Sequence, residues 1–229
     1  MTIHRFFVAP DAMAGNRFPV PAEIAHQVQR VLRLRDGDRL VLLDSRGEAA
    51  RVRLAGGECM VEERGLARGE PAHRLTVWQA LLRGDHLEPV VRHGTEVGIA
   101  AFRLFVSERC VARDISERKL ERLRAVAREA AEQSERGLFP EVSAPVAFAE
   151  AAASASVLLL ERSGGPRLSE MDPPGSVVIG PEGGFTPDEV AAAERAGLAL
   201  AGLGPRILRS ETVAVAAAAV ILSRTGDFA

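Results

Sequence analysis

Short apolar runs separated by tight turns dominate the first 70 residues of the chain. Residues 49–54 alternate Arg51 and Arg53 with Val52 and Leu54, and this period of two is typical of a strand with one buried face. A single helix is predicted over residues 23–34. Strands are predicted over residues 3–8, 39–44, 49–54 and 58–63. Several short strands with one helix indicate a small β-barrel.

Strands and helices alternate from about residue 74 onward, after a linker over residues 64–73 that contains glycine and proline. Thr186 and Glu189 have the spacing of a capping box at the start of a helix. The predicted strands are 75–80, 101–105, 157–160, 176–179 and 199–203, and the predicted helices are 86–97, 116–136, 187–196 and 211–224. This alternation predicts an α/β fold with a mostly parallel sheet covered on both faces. We therefore expect two domains, residues 1–70 and residues 71–229.

The composition is that of an ordinary globular protein. The chain has 229 residues, of which 47% are hydrophobic and 26% charged, and its net charge of −2 gives no overall attraction to nucleic acid. No apolar run approaches the roughly 18 residues that span a bilayer, and no signal peptide is recognisable, so we expect a cytoplasmic protein. Neither the two cysteines nor the five histidines have metal-ligand spacing, so no metal site and no disulfide are expected.

Two glycine-proline turns carry the strongest functional signal in the chain. Gly180-Pro181-Glu182-Gly183-Gly184 follows the apolar run 176–179, and Leu203-Gly204-Pro205-Arg206 follows the run 199–203. Glycine permits a tight turn and a close approach of the backbone to a ligand. Ligands of open α/β sheets bind beyond the carboxyl ends of the strands. Two such turns at adjacent strand ends therefore predict a small-molecule pocket.

The spacing of these turns disfavours a dinucleotide-dependent oxidoreductase, because the Gly-x-Gly-x-x-Gly fingerprint is missing. Residues 179–185 and 203–212 instead resemble the SPOUT superfamily of S-adenosylmethionine-dependent RNA methyltransferases. Within it the chain is similar to the ribosomal small subunit methyltransferase E family, which methylates N3 of a uridine in 16S ribosomal RNA. Supporting segments occur along the whole chain, at residues 4–7, 26–33, 95–98, 107–110 and 132–136.

The resemblance implies a fold and a set of partners. The C-terminal domain would be a SPOUT-type sheet with a deep trefoil knot, the N-terminal domain a PUA-like RNA-binding barrel, and the protein a homodimer that needs no metal. The implied cofactor is S-adenosylmethionine. The residues that the resemblance assigns to it are Leu158, Leu160, Glu161, Ile179, Gly180, Pro181, Glu182, Gly183, Gly184, Leu203, Gly204, Arg206, Ile207 and Leu208. Their apolar side chains and main-chain groups suit an adenine ring.

Methylation of uridine N3 requires the loss of the N3 proton. We expect Arg209 to stabilise negative charge that develops on the uracil oxygens, and Glu211 to accept the proton or to orient the base. The alternative is an ion pair at the start of a helix. The candidate RNA contacts are Arg30, Arg33, Arg35, Arg51, Arg53, Arg109, Gln133 and Arg136. Their alternative is a solvated surface with ion pairs among its side chains.

Two questions of function stay open at this point. The substrate is either free 16S ribosomal RNA or the assembled small ribosomal subunit. The contrasting hypothesis is a non-catalytic RNA-binding protein that has kept the knotted fold and lost the chemistry. Binding of S-adenosylmethionine distinguishes the two, because only the enzyme requires it.

Overall fold

The computed structural model describes residues 3–160 and 166–228. The chain divides into two compact units, the first of Met1–Glu70 with Ala131–Phe139, the second of Pro71–Ala130 with Pro140–Ala229. The sequence assigns residues 131–139 to the second domain, whereas in the structure they belong to the first unit. One reason is that Ala131 packs with Phe7 and Leu43 in a buried cluster.

The first unit contains one five-stranded sheet with the strand order β1-β3-β4-β5-β2. The strands are β1 (His4–Phe7), β2 (Arg17–Pro19), β3 (Arg39–Leu43), β4 (Glu48–Ala55) and β5 (Glu58–Leu66). The β1–β3 pair is parallel and the other pairs are antiparallel. Helix α1 (Ala22–His26) continues as a π-helical stretch over Gln27–Val31. Four of these strands match the predicted ones, but the sequence missed β2, which is short and contains Pro19 at the sheet edge.

Alternating side chains in β4 explain how this sheet forms. Ala50, Val52 and Leu54 are buried in the core of the unit, whereas the Arg51 and Arg53 side chains are 46% and 43% exposed. The turn before β4 is closed by the Asp44 carboxylate, which accepts hydrogen bonds from two backbone N–H groups at 2.7 and 2.9 Å. The predicted strand with one buried face is therefore confirmed, and its arginines lie on the exposed face.

The second unit contains a seven-stranded sheet in which every pair of neighbouring strands is parallel. Its strands are β6 (Thr76–Ala80), β7 (Ala101–Val106), β8 (Glu141–Val142), β9 (Val146–Ala147), β10 (Val157–Leu160), β11 (Ser176–Ile179) and β12 (Ala199–Gly202). Its helices are α2 (Leu87–Glu96), α3 (Glu117–Gln133), α4 (Phe148–Ser154), α5 (Pro187–Arg195) and α6 (Ser210–Arg224). The expected α/β fold with a mostly parallel sheet is confirmed.

The strand order of this sheet is β12-β10-β11-β6-β7-β8, with β9 paired to β7. The two glycine-proline turns follow β11 and β12, and β10 lies between these strands. The expectation that the turns follow adjacent strands is therefore wrong, because the chain crosses β10 on its way from β11 to β12. Register aligns Leu159 with both Ile179 and Ala201, so the carboxyl ends of all three strands lie at the same edge.

Candidate functional site

A cavity of about 300 Å³ opens at the carboxyl ends of β10, β11 and β12. This volume is at the lower end of the range for small-molecule sites. The cavity is lined by Arg109, Leu159, Leu160, Ile179, Gly180, Pro181, Gly183, Gly184, Phe185, Leu203, Arg206, Leu208, Ser210 and Val213. Most of the lining residues are apolar or glycine, and both glycine-proline turns contribute to them.

The β11 loop, residues 180–185, forms one side of the cavity. Gly184 closes the turn by donating its N–H to the Pro181 carbonyl at 2.9 Å, and its φ of 65° is a conformation that glycine adopts without strain. A Cβ on Gly180 would lie 3.0 Å from the ring of Phe185, which stacks on Phe105 at a centroid distance of 6.5 Å. Glycine at 180 therefore lets Phe185 close against the strand end and line the cavity.

The β7 loop, residues 107–113, contacts the β11 loop directly. Arg109 donates from Nη1 to the Gly183 carbonyl at 3.0 Å, and a Cβ on Gly183 would lie 3.1 Å from the Cβ of Arg109. The Arg113 guanidinium donates to the carbonyls of Ser107 and Glu108 at 3.0 and 2.6 Å. These bonds fix the path of the β7 loop, and Arg109 is held on the cavity wall as a result.

Glu189 joins the start of α5 to the β7 loop. Its carboxylate accepts from the backbone N–H of Glu108 at 2.8 Å and from that of Thr186 at 3.0 Å. In return the Thr186 hydroxyl accepts from the Glu189 N–H at 3.2 Å. The predicted capping box is therefore confirmed, and it also reaches the loop that carries Arg109.

The β12 loop, residues 203–209, forms the opposite side of the cavity. Leu203, Arg206 and Leu208 line it, followed by Ser210 and Val213 on the first turn of α6. Gly204 has a φ of 111°, a backbone conformation that residues with a side chain rarely adopt. The chain turns at Gly204, and the following residues Arg206 and Leu208 line the cavity again before α6 begins.

The structure brings together most of the residues that the sequence assigns to the cofactor, and leaves some outside. Leu160, Ile179, Gly180, Pro181, Gly183, Gly184, Leu203, Arg206 and Leu208 line the cavity. Leu158 is buried in the core, Glu182 accepts from the Arg83 N–H at 3.2 Å, and Ile207 is 55% exposed. Gly204 is not among the lining residues, and Glu161 lies outside the described residues.

Sequence reasoning missed five residues of the cavity wall in their role there: Arg109, Leu159, Phe185, Ser210 and Val213. Leu159 and Phe185 adjoin predicted residues, and Ser210 and Val213 have the i, i+3 spacing that places two residues on one face of a helix. Arg109 belongs to a different segment of the sequence. Its contact with Gly183 joins residues 74 positions apart, and no local pattern could show it.

Comparisons with known proteins agree with this geometry. The family model of an RNA methyltransferase domain matches residues 69–222. The chain is 34% identical to the ribosomal RNA small subunit methyltransferase E of Synechocystis over 95% of its own length and 77% of the relative's. It is 38% identical to the Mycobacterium bovis protein of the same name, over 85% and 82% of the two chains.

A solved structure is similar over almost the whole chain. It is the ribosomal RNA small subunit methyltransferase E of Neisseria gonorrhoeae bound to S-adenosyl methionine, with a TM-score of 0.89, 27% identity, and coverage of 97% of this chain and 98% of that one. The chain belongs to the ribosomal RNA small subunit methyltransferase E family. The resemblance seen in the sequence is thereby confirmed.

The two candidate catalytic side chains, Arg209 and Glu211, lie beside the cavity and do not line it. Arg209 precedes α6 with its side chain 84% exposed, and its Nη1 is 3.9 Å from the Glu211 carboxylate. The second carboxylate oxygen of Glu211 is 3.7 Å from Nδ1 of His86. The ion pair that the sequence left as an alternative is thus present at a long distance, next to Ser210 on the cavity wall.

The candidate RNA contacts differ in their surroundings. Arg30, Arg33 and Arg35 are exposed around the end of the π-helical stretch. Arg51 and Arg53 lie 3.8 and 3.7 Å from the carboxylate of Glu62, whose closer partner is Arg39 at 2.7 Å. The hydrogen bond from Arg39 is the main reason why the pKa of Glu62 lies below its usual value. This strand face is therefore partly neutralised by its own carboxylate.

The remaining candidates belong to different units. Gln133 is exposed at the end of α3, in the part of that helix that belongs to the first unit. Arg136 is 3% exposed, and its guanidinium donates to the Glu70 carboxylate at 3.1 and 2.7 Å. Its guanidinium is therefore already paired with an acidic group of its own chain. Arg109 lines the cavity of the second unit.

Within residues 3–160 and 166–228, no cluster of three or more His, Cys, Asp or Glu side chains is placed to hold a metal ion. In the same residues, no helix is both long enough and apolar enough to cross a membrane.

Proposed function

We propose that this RNA methyltransferase transfers a methyl group from S-adenosylmethionine to N3 of a uridine in 16S ribosomal RNA, in the cytoplasm. The observation that carries the proposal is the cavity formed by the β11 and β12 loops, in a chain that belongs to the ribosomal RNA small subunit methyltransferase E family. The uridine N3 position rests on the family resemblance.

The residue types of the cavity wall suit S-adenosylmethionine. Leucine, isoleucine and phenylalanine side chains suit the faces of an adenine ring, and glycines at 180 and 183 let Phe185 and Arg109 pack closely against the turn that lines the cavity. When bound, S-adenosylmethionine supplies a methyl group on a positively charged sulfur, which needs no metal to activate it. The protein's part is to hold the methyl group and the attacking nitrogen in line.

The target base must lose its N3 proton. We assign to Arg209 the stabilisation of negative charge on the uracil oxygens, and to Glu211 the acceptance of the proton or the orientation of the base. Their place at the start of α6, with Arg209 just before the helix and Glu211 on its first turn, on either side of cavity-lining Ser210, supports this assignment. Replacement Arg209→Ala is expected to lower kcat while the affinity for S-adenosylmethionine changes little. An unchanged kcat would contradict the assignment.

The first unit is proposed to bind RNA as a PUA-like barrel. Arg30, Arg33, Arg35, Arg51 and Arg53, together with Gln133, supply its polar contacts, and phosphate binding by such side chains is strongly salt-dependent. Half-exposed apolar residues on α6, among them Val215 and Val220, support a homodimer whose partner covers them. A trefoil knot in the second unit is proposed on the family resemblance.

Calorimetric titration with S-adenosylmethionine tests the use of the donor, and binding in the micromolar range is expected. Methyl transfer is then tested with 16S ribosomal RNA and with assembled small subunits as substrates. Mass spectrometry of the digested nucleosides should show N3-methyluridine. Absence of donor binding, with RNA binding intact, would favour the non-catalytic RNA-binding protein.

A further inference from the structure

Two arginines are the charged residues on the described wall of the cavity. The other described lining residues are apolar residues, glycines, a proline and a serine. Among residues 3–160 and 166–228, no carboxylate lines the cavity and none forms an ion pair with Arg109 or Arg206. A guanidinium without an acidic neighbour attracts an anionic part of a ligand. The cavity is therefore built to receive at least one negative charge.

Arg109 is the better fixed of the two. Its Nη1 donates to the Gly183 carbonyl at 3.0 Å, which uses one of the five N–H donors of the guanidinium. The two residues before it are held as well, because the Glu108 N–H donates to Glu189 and the Ser107 carbonyl accepts from Arg113. The side chain thus has a set orientation and keeps further donors for a planar anion. A pre-positioned fork of this kind binds carboxylates with two parallel hydrogen bonds.

The donor carries one group that matches this fork. Its sulfonium and ammonium groups are positive, its adenosine is neutral, and only the carboxylate of its amino-acid part is negative. We infer that Arg109 binds the carboxylate of S-adenosylmethionine, with Arg206 supplying a second positive charge on the cavity wall. The inference rests on the proposed function, and it moves Arg109 from the RNA surface to the donor site. An RNA phosphate is the other anion that a guanidinium would accept.

A titration with matched donors tests the assignment. The probes are S-adenosylmethionine, decarboxylated S-adenosylmethionine, which keeps the sulfonium and the amine, and 5′-methylthioadenosine, which lacks the amino-acid part. Arg109→Ala is expected to weaken binding of S-adenosylmethionine by about tenfold to a hundredfold, the range for a hydrogen bond to a charged group. The affinities for the other two probes should stay close to those of the unchanged protein. Arg109→Lys should give an intermediate loss, because it keeps the charge without the fork.

Arg118→Ala serves as a control, because Arg118 is exposed on α3 and does not line the cavity; it should bind all three probes normally. If Arg109→Ala weakens all three probes equally, Arg109 only supports the Gly183 turn and the inference is wrong. If it leaves donor binding intact and weakens RNA binding, the anion is a phosphate and the inference is also wrong. If the unchanged protein binds none of the probes, the proposed function fails first.

Discussion

The carboxylate of Glu189 provides a quantitative test of how the site is held together. It is 9% exposed and accepts two backbone hydrogen bonds, one from Thr186 at the start of α5 and one from Glu108 in the β7 loop. Replacement by alanine leaves both N–H groups without this acceptor. Each hydrogen bond to a charged group contributes about 1.5–3 kcal/mol. At the lower limit, Glu189→Ala therefore lowers the free energy of unfolding by about 3 kcal/mol.

The expected shift follows from the size of the protein. A loss of 1 kcal/mol lowers Tm by about 2–4 °C for chains of 150–250 residues, so Glu189→Ala should melt about 6–12 °C below the unchanged protein. Glu189→Gln keeps one acceptor oxygen and turns an amide N–H₂ towards the other backbone donor, so a substantial part of the loss should remain. Because Glu108 precedes Arg109, the affinity for S-adenosylmethionine should fall as well.

Thermal melts followed by circular dichroism and calorimetric titration measure the two effects. Glu194→Gln is the matched control, since Glu194 is exposed on the same helix and surface changes of this kind stay within about 0.5 kcal/mol. If Glu189→Ala melts together with this control, the carboxylate does not stabilise the site and the reasoning fails. Normal donor affinity in a destabilised variant would show that α5 and the β7 loop act independently.

Three further predictions concern other parts of the chain. Gly183→Ala places a Cβ 3.1 Å from that of Arg109 and should reduce the affinity for S-adenosylmethionine severalfold in a calorimetric titration. Gly175→Ala is the control, because Gly175 has open space around it, and it should leave that affinity unchanged. Equal affinities of the two variants would contradict the close approach at Gly183. Glu62→Gln removes the carboxylate that pairs with Arg39 and faces Arg51 and Arg53. The affinity for RNA should therefore rise, and it should fall more steeply with salt concentration. An unchanged dependence of the affinity on salt argues against RNA binding to this strand face. Burial raises the pKa of the Cys59 thiol from 9.0 to about 11, so its contribution to stability is complete below pH 9.0 and is lost as the pH rises towards 11. Iodoacetamide at about pH 8 should modify Cys59 slowly in the native protein and quickly in urea. Equal rates of modification, measured by peptide mass spectrometry, would rule out this burial.

Periodic patterns made much of the fold predictable. The alternation of Arg51 and Arg53 with buried neighbours predicted β4, and the spacing of Thr186 and Glu189 predicted the start of α5. Weak or short patterns failed. The three residues of β2 are too few to show a period, and the alanine-rich segment that forms α4 is only seven residues long, with alanine at four of its positions. Strand order was predicted incorrectly for β10 because local sequence does not specify which strands pair.

The candidate site was predictable where a motif is continuous in the sequence. Residues 179–184 and 203–208 supply much of the cavity wall. Contacts between distant segments were not predictable. Arg136 and Glu70 are 66 positions apart and form a pair in the first unit, and Arg109 reaches Gly183 across 74 positions. A single sequence does not distinguish an exposed arginine from one that forms an ion pair or hydrogen bond within the fold.

The product of the reaction provides the most direct test of the central claim, that the cavity at the ends of β10, β11 and β12 serves methyl transfer to ribosomal RNA. The protein is incubated with 16S ribosomal RNA or small subunits and with S-adenosylmethionine labelled in its methyl group. The RNA is then digested to nucleosides, which are separated and identified by mass spectrometry. We predict label in N3-methyluridine, at a rate that Gly183→Ala reduces. Label in a different nucleoside would contradict the proposed target, and no label in any nucleoside would contradict the claim itself.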